Sequence, residues 1–268
     1  MDKTLSIALL SLDVAWADPV ANIKALERYM AKIGPQADIV ALPELFTTAF
    51  IQDKRLLMEL AETNSGPTIT IVKQLARKYD CAISGSFSAC DDRRTKVYNR
   101  AFFIEPDGRE TYYDKRHLFT LSSESEIYTA GDTRVPVVSF RGWNVAMLVC
   151  YDIRFPVWTR NVDHRYDIML VAANWPNARG YAWKHLIIAR AIENQAIYVG
   201  ADRSGSDDYG NYDGLAQIYD ANGYPVGEEL RDMPVIMAAL SKEDLLKARK
   251  RLPVIDSFDA FDLHCNIK

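Results

Sequence analysis

The sequence predicts an α/β domain in which mixed β-sheets are covered by helices. Short apolar runs of strand length alternate with segments whose apolar residues recur at helical spacing. Pairs of strand-like runs joined by tight turns interrupt that alternation, so the sheets cannot be wholly parallel. No low-complexity linker, repeat or break in composition divides residues 1–268, which therefore read as a single domain. Two sheets packed face to face, each with helices outside, accommodate both patterns.

The elements follow in order. TLSIALLSL (4–12) is a buried strand. Asp18 caps a helix whose first residue is Pro19, with Val20, Ile23, Leu26, Met30 and Ile33 on one face and Gly34-Pro35 as its stop. DIVAL (38–42) is a second strand, residues 68–80 a second helix, and CAISGSF (81–87) a third strand. Residues 97–105 and 109–114 form a hairpin about the turn Pro106-Asp107-Gly108. Residues 135–140 and 143–150 form another about Arg141-Gly142. A strand at 167–173, an apolar helix at 181–196 and a strand at 197–201 come next. Strands at 214–220 and 234–240 complete the sheets, and Ser241 with Asp244 opens a last helix.

Bulk properties narrow the function. A net charge of -4 and a pI near 5.6 exclude the basic face that nucleic acid requires. Lys115-Arg116-His117 is too short to hold a polyanion, and Lys247 to Arg251 end a helix, where cations complement its carbonyl end. No run reaches the ~20 apolar residues of a membrane helix, and LSIALLSL (5–12) lacks the flanks of a signal core. Cys81, Cys90, Cys150 and Cys265 form no CxxC pair and meet no paired histidines, so neither zinc nor a disulfide framework is expected; a reducing cytoplasm fits.

Polar residues that follow apolar strands carry the functional signal, because strands deliver such groups at their carboxyl ends. Glu44 follows DIVAL, Lys115 follows RETYYD, Cys150 ends WNVAMLV, and Asn174-Trp175 follow DIMLVAA. Taken singly, Glu44 could open a helix, Lys115 could be solvated and Cys150 could be core. Together they form a chemical set. A thiol attacks an amide or nitrile carbon as the thiolate, which needs a base and nearby positive charge. Glu44 could take the proton, and Lys115 could stabilise both the thiolate and the oxyanion that follows. The backbone N–H of Tyr151 is a second oxyanion donor. For a substrate carboxylate, Arg154 is the candidate, with Arg116 and His117 behind it; Arg154 could equally pair with Asp152. Phe46, Phe50, Tyr151 and Trp175 could line a pocket, and Asn174 could hydrogen-bond near it.

LPELF (42–46), YDKRHLF (113–119) and LVCYDIRFP (148–156), in that order, resemble the nitrilase superfamily of carbon–nitrogen hydrolases. The resemblance spans nearly the whole chain, including ANWP (173–176) and ARAIENQAIYV (189–199). It implies a Glu–Lys–Cys triad at Glu44, Lys115 and Cys150, and a second glutamate within ESEIYTAG (124–131) that holds the lysine. Glu124 is the choice and Glu126 the rival. It also implies a four-layer αββα sandwich, no metal or organic cofactor, and a homodimer. YDKRHLF, RFPVW, NWP and ELFTTAF are most similar to bacterial ω-amidases, which release ammonia from 2-oxo acid ω-amides such as 2-oxoglutaramate and 2-oxosuccinamate. Val157 stands where many branches carry an acid. Within the superfamily, a nitrilase or an N-carbamoyl or aliphatic amidase is the alternative. Outside it stand a papain-like Cys–His hydrolase, which needs one of His117, His164, His185 or His264 beside Cys150, and a non-catalytic binding or redox-sensing protein with an oxidisable Cys150.

Overall fold

A computed structural model describes residues 4–263. Cys265 and His264 lie outside the described residues. In chain order the elements are β1 (Thr4–Leu10), α1 (Pro19–Ile33), β2 (Ile39–Ala41), α2 (Lys54–Leu60), α3 (Pro67–Tyr79), β3 (Ala82–Cys90), β4 (Val97–Ile104) and β5 (Glu110–Asp114). There follow α4 (Glu124–Ile127), β6 (Val137–Phe140), β7 (Trp143–Val149), β8 (Ile168–Ala173), α5 (Gly180–Asn194) and β9 (Ile197–Asp202). The chain continues through β10 (Ser204–Asp207), β11 (Gly210–Asp213), β12 (Gln217–Tyr219), β13 (Glu228–Glu229), β14 (Val235–Ser241) and α6 (Lys242–Arg251).

The strands form two mixed sheets. One has seven strands in the order β13-β14-β1-β2-β3-β4-β5, the other five in the order β12-β9-β8-β7-β6. β1 runs antiparallel to β14 and parallel to β2, while β7, β8 and β9 are parallel to one another. The pleat of β1 shows why the sheets stack. Leu5, Ile7 and Leu9 point to one face and join the core shared with β7, β8 and β9. Ala8 and Leu10 point to the other and meet Ile23, Leu26, Met30 and Ile33 of α1 with Ile69, Val72 and Leu75 of α3. On the second sheet, α5 buries Trp183, Ile187 and Ala191, and α6 buries Leu245. The result is the four-layer helix–sheet–sheet–helix arrangement.

The local signals act as the sequence indicates. Asp18 accepts the Ala21 N–H at 2.9 Å to cap α1, and Ser241 accepts the Asp244 N–H at 3.1 Å to cap α6. The helix α2 and the hairpin β10–β11 were not expected. The first rests on a cap, Asp53 accepting the Leu56 N–H at 2.7 Å, and on little apolar periodicity, since only Leu57 is buried. The second is rich in Gly and Asp and is held across its strands by backbone pairing.

Candidate active site

Glu44, Lys115, Glu124 and Cys150 come together at one end of the sheets, lining a cavity of about 400 Å³. Glu44, Lys115 and Cys150 each arrive where an apolar strand ends, and Glu124 is the first residue of α4. After β2 the chain turns instead of opening a helix, with Leu45 at φ +49°, and Glu44 is 4% exposed. Lys115 directly follows β5, its N–H donating to Asn99 O and its C=O accepting from Gly131 N. Cys150 follows β7 and begins a tight turn with φ +45°, a conformation costly for a residue with a Cβ. Asp152, fully buried, holds that turn: Oδ2 accepts from Val149 N and the Tyr113 hydroxyl, Oδ1 from His117 N.

The charges form a closed network. Lys115 Nζ lies 2.9 Å from Glu44 Oε1 and 2.7 Å from Glu124 Oε1. Glu124 also accepts the Phe119 N–H at 2.6 Å. Asn99 Nδ2 donates to Glu44 at 2.7 Å and to Glu124 at 3.3 Å, and its Oδ1 accepts from the Ser86 hydroxyl, which fixes the amide. Glu44 Oε2 accepts the Asn174 N–H at 2.8 Å. Burial disfavours the Lys115 charge, but the Glu124 and Glu44 carboxylates outweigh it and hold the ammonium well above the usual lysine range. Burial and the Glu44 carboxylate push the Cys150 thiol well above its ordinary value, against the pull of Lys115. The resting sulfur is therefore a neutral thiol facing a carboxylate. Cys81 and Cys90 are also buried and free; the charges near them are Arg141, Asp80 and Asp38 for the first and Arg94 and Asp91 for the second, and neither lines this cavity.

The remaining expected residues divide. Glu126, two residues after the buried Glu124 on α4, is exposed. Arg154, Tyr151, Asn174, Trp175 and Phe50 line the cavity. Arg154 forms no ion pair with Asp152; its guanidinium lies 4.9 Å from the Trp175 ring centre. Phe46 must be corrected. The turn after Glu44 swings it out of the cavity into the helix-side core, fully buried and edge-on to Phe102 at 5.9 Å. Arg116 is likewise elsewhere, donating to Gly131 O, and His117 stacks on Phe155 at 3.7 Å while bonding Asp152. No histidine among the described residues lines the cavity.

Several groups went unread in the sequence. Asn99 is a fully buried polar residue in β4, next to Arg100 in a strand that otherwise ends in an apolar run. Arg179 stands at the mouth with its guanidinium 4.9 Å from the Phe119 ring, and Asp208, Tyr209 and Tyr212 of the β10–β11 hairpin complete the wall. Among the described residues no group of three or more His, Cys, Asp or Glu is arranged to hold a metal ion, and no helix is long and apolar enough to cross a membrane.

Comparison with known proteins gives the family. Residues 6–250 match the carbon–nitrogen hydrolase family model. A Yersinia enterocolitica ω-amidase is 38% identical, covering 97% of this chain and 98% of its own. A Bacillus subtilis 2-oxoglutaramate amidase is 31% identical over 94% of this chain and 96% of its own. Among solved structures, a superfamily protein of Xanthomonas campestris with an arsenic adduct in its active site superposes with a TM-score of 0.91 at 35% identity, covering 98% of this chain and all of the other.

Proposed function

Because the chain belongs to the carbon–nitrogen hydrolase family, we propose that it is an amidase that hydrolyses the terminal amide of small 2-oxo acid ω-amides, such as 2-oxoglutaramate and 2-oxosuccinamate. The observation that carries the chemistry is the buried cluster in which the Glu44 carboxylate pairs with the Lys115 ammonium at 2.9 Å and lines one cavity with Cys150 and Glu124. The proposed cycle follows from it. As Cys150 Sγ bonds the amide carbon, its proton passes to Glu44, and the carbonyl π pair moves onto oxygen. The Lys115 ammonium and the Tyr151 N–H stabilise that oxyanion; one such donor is typically worth ~2.7–4 kcal/mol. The oxyanion collapses, the C–N bond breaks, and Glu44 returns the proton to nitrogen, which leaves as ammonia. Water then attacks the thioester, giving a proton to Glu44; the C–S bond breaks, Glu44 passes that proton to the departing sulfur, and the acid leaves as the thiol is restored. Glu124 keeps Lys115 charged and in place.

The choice of substrate is supported by the mouth of the cavity. Arg154 and Arg179 present guanidiniums that meet aromatic rings and no carboxylate among the described residues, so an incoming substrate carboxylate could claim them. The names of the Yersinia and Bacillus relatives point the same way. The test is ammonia release from 2-oxoglutaramate, propanamide, an N-carbamoyl amino acid and a dicarboxylic mononitrile. The 2-oxo amide is expected to exceed the others in kcat/KM by about 100-fold. Equal or faster turnover of the nitrile or carbamoyl compound would overturn the assignment.

A further inference from the structure

β8 and β9 run side by side until Ala173 pairs with Asp202, and there the chain leaves the sheet for the cavity wall. The Ala173 C=O still accepts two backbone N–H groups, of Glu44 and Arg203, each at 3.3 Å. The Asn174 N–H then donates to Glu44 Oε2 at 2.8 Å. Two residues past Ala173, a continued ladder would offer the Trp175 N–H a carbonyl of the neighbouring strand. It donates to the Asp202 side chain instead, with Oδ1 at 2.7 Å. The backbone that bonds the proposed base is therefore pinned, one residue on, by a side chain at the end of β9.

A carboxyl group is a costly choice for that task. Asp202 is fully buried, and its Oδ2 has no hydrogen-bond partner among the described residues. The guanidinium of Arg203, next in the chain, does not compensate it, bonding Asp207, Val14 O and Ser204 O. Burial pushes the Asp202 carboxyl well above the usual carboxylate range; the Glu44 carboxylate adds to the push, and the Trp175 N–H opposes it. The group is thus an uncharged acid at neutral pH, and what it offers Trp175 is an acceptor oxygen. We propose that Asp202 is a positioning residue for the reaction: its Oδ1 holds the Asn174–Trp175 backbone so that the Asn174 N–H stays on Glu44. Asp202 does not line the cavity and acts only through that backbone. The inference rests on the role given to Glu44 above.

The test separates the acceptor from the acid. Asp202→Asn keeps an oxygen in the same place and is expected to hold kcat within about threefold of wild type. Asp202→Leu has nearly the same shape and no acceptor, and its kcat is expected to fall roughly 10- to 100-fold, up to the cost of a 1 Å misplacement. Asp202→Ala serves if the leucine variant does not fold, as thermal melts will show. The pH profile is the second readout. An N–H donor favours the charged form of a carboxylate. With the Asn174 N–H loosened, the acid limb of kcat/KM should move up by about half a unit to one unit in Asp202→Leu and stay in place in Asp202→Asn. The other titratable groups around Glu44, namely Lys115, Glu124, Cys150, Tyr128 and Tyr212, are the same in every variant. A purely structural role would scale activity down equally at every pH, so an unmoved acid limb in the variant without an acceptor overturns the proposal. So does an equal loss in Asp202→Asn, which would make the acid itself the working feature. The substrate is whichever of the four compounds named above the wild-type protein turns over fastest. If that is not the 2-oxo amide, the substrate assignment fails, while the same profiles still decide the role of Asp202.

Discussion

At the floor of the cavity the Lys115 ammonium is 2% exposed and lies between two carboxylates; at its mouth Arg154 and Arg179 rest against aromatic rings with no carboxylate partner among the described residues. The same kind of charge is thus handled in opposite ways within one cavity. A buried cation without a counter-charge would be strongly destabilising, so the floor has to be complete before any substrate arrives. A guanidinium near solvent carries no such requirement and can leave its strongest bonds for a ligand. On the proposed reading, the floor holds the reacting atoms in place and the mouth chooses among molecules. Substitutions in the two regions should therefore fail differently.

The largest effect belongs to the floor. Cys150→Ala removes the sulfur that the proposed cycle uses to form the acyl bond, and turnover should fall on the order of 10⁴-fold or more. The side chain is small and the strained turn is held by Asp152, so the thermal midpoint should stay within a few degrees of wild type. Ammonia release and thermal melts of the same preparation check both. Residual activity within tenfold of wild type would remove the nucleophile from the mechanism.

Glu124→Gln comes next, and its signature is pH dependence. The Glu124 carboxylate is among the causes that raise the Lys115 pKa, so its loss lowers that pKa. Wild-type Lys115 keeps its proton across the working range, while the variant begins to lose it as the pH rises. The expected drop in kcat/KM is about 10²–10³-fold near neutrality. The ratio of variant to wild type should fall further between about pH 7 and pH 10. A ratio that does not change with pH would mean that Glu124 contributes shape, not charge.

The same contrast governs what could be read in the chain itself. The floor was legible because it is built where apolar runs stop: Glu44, Lys115 and Cys150 each follow a strand whose pattern marks the boundary. Glu124 needed more, since two glutamates lie two residues apart; on the short helix they face different ways, and only the fold buries one. Phe46 was misplaced because Leu45 takes a left-handed conformation, so the alternation of an extended chain does not hold there. Arg179 and the residues at 208–212 come from exposed segments held by backbone pairing and single contacts, where no periodicity marks position. Asn99 and Asp152, which aim the reacting groups, are polar residues whose partners are remote in sequence, so only the assembled sheets reveal their use.

The two arginines give the smallest effects and the sharpest test of the division. Arg154 is partly buried and stacked on Trp175, so its bond to a substrate carboxylate would form in a poorly solvated place. Arg154→Ala should raise KM for the 2-oxo amide roughly 10- to 150-fold, the range of charged hydrogen bonds, and leave kcat within a few-fold. Arg179 is exposed, and its attraction for an anion is screened by water and salt. Arg179→Ala should raise KM only about two- to fivefold, and less at high ionic strength. Propanamide, which carries no carboxylate, supplies the control, and its KM should be unaffected by either substitution. If kcat falls with KM unchanged, or if propanamide suffers equally, the arginines belong with the floor, and the separation of chemistry from selection does not describe this cavity.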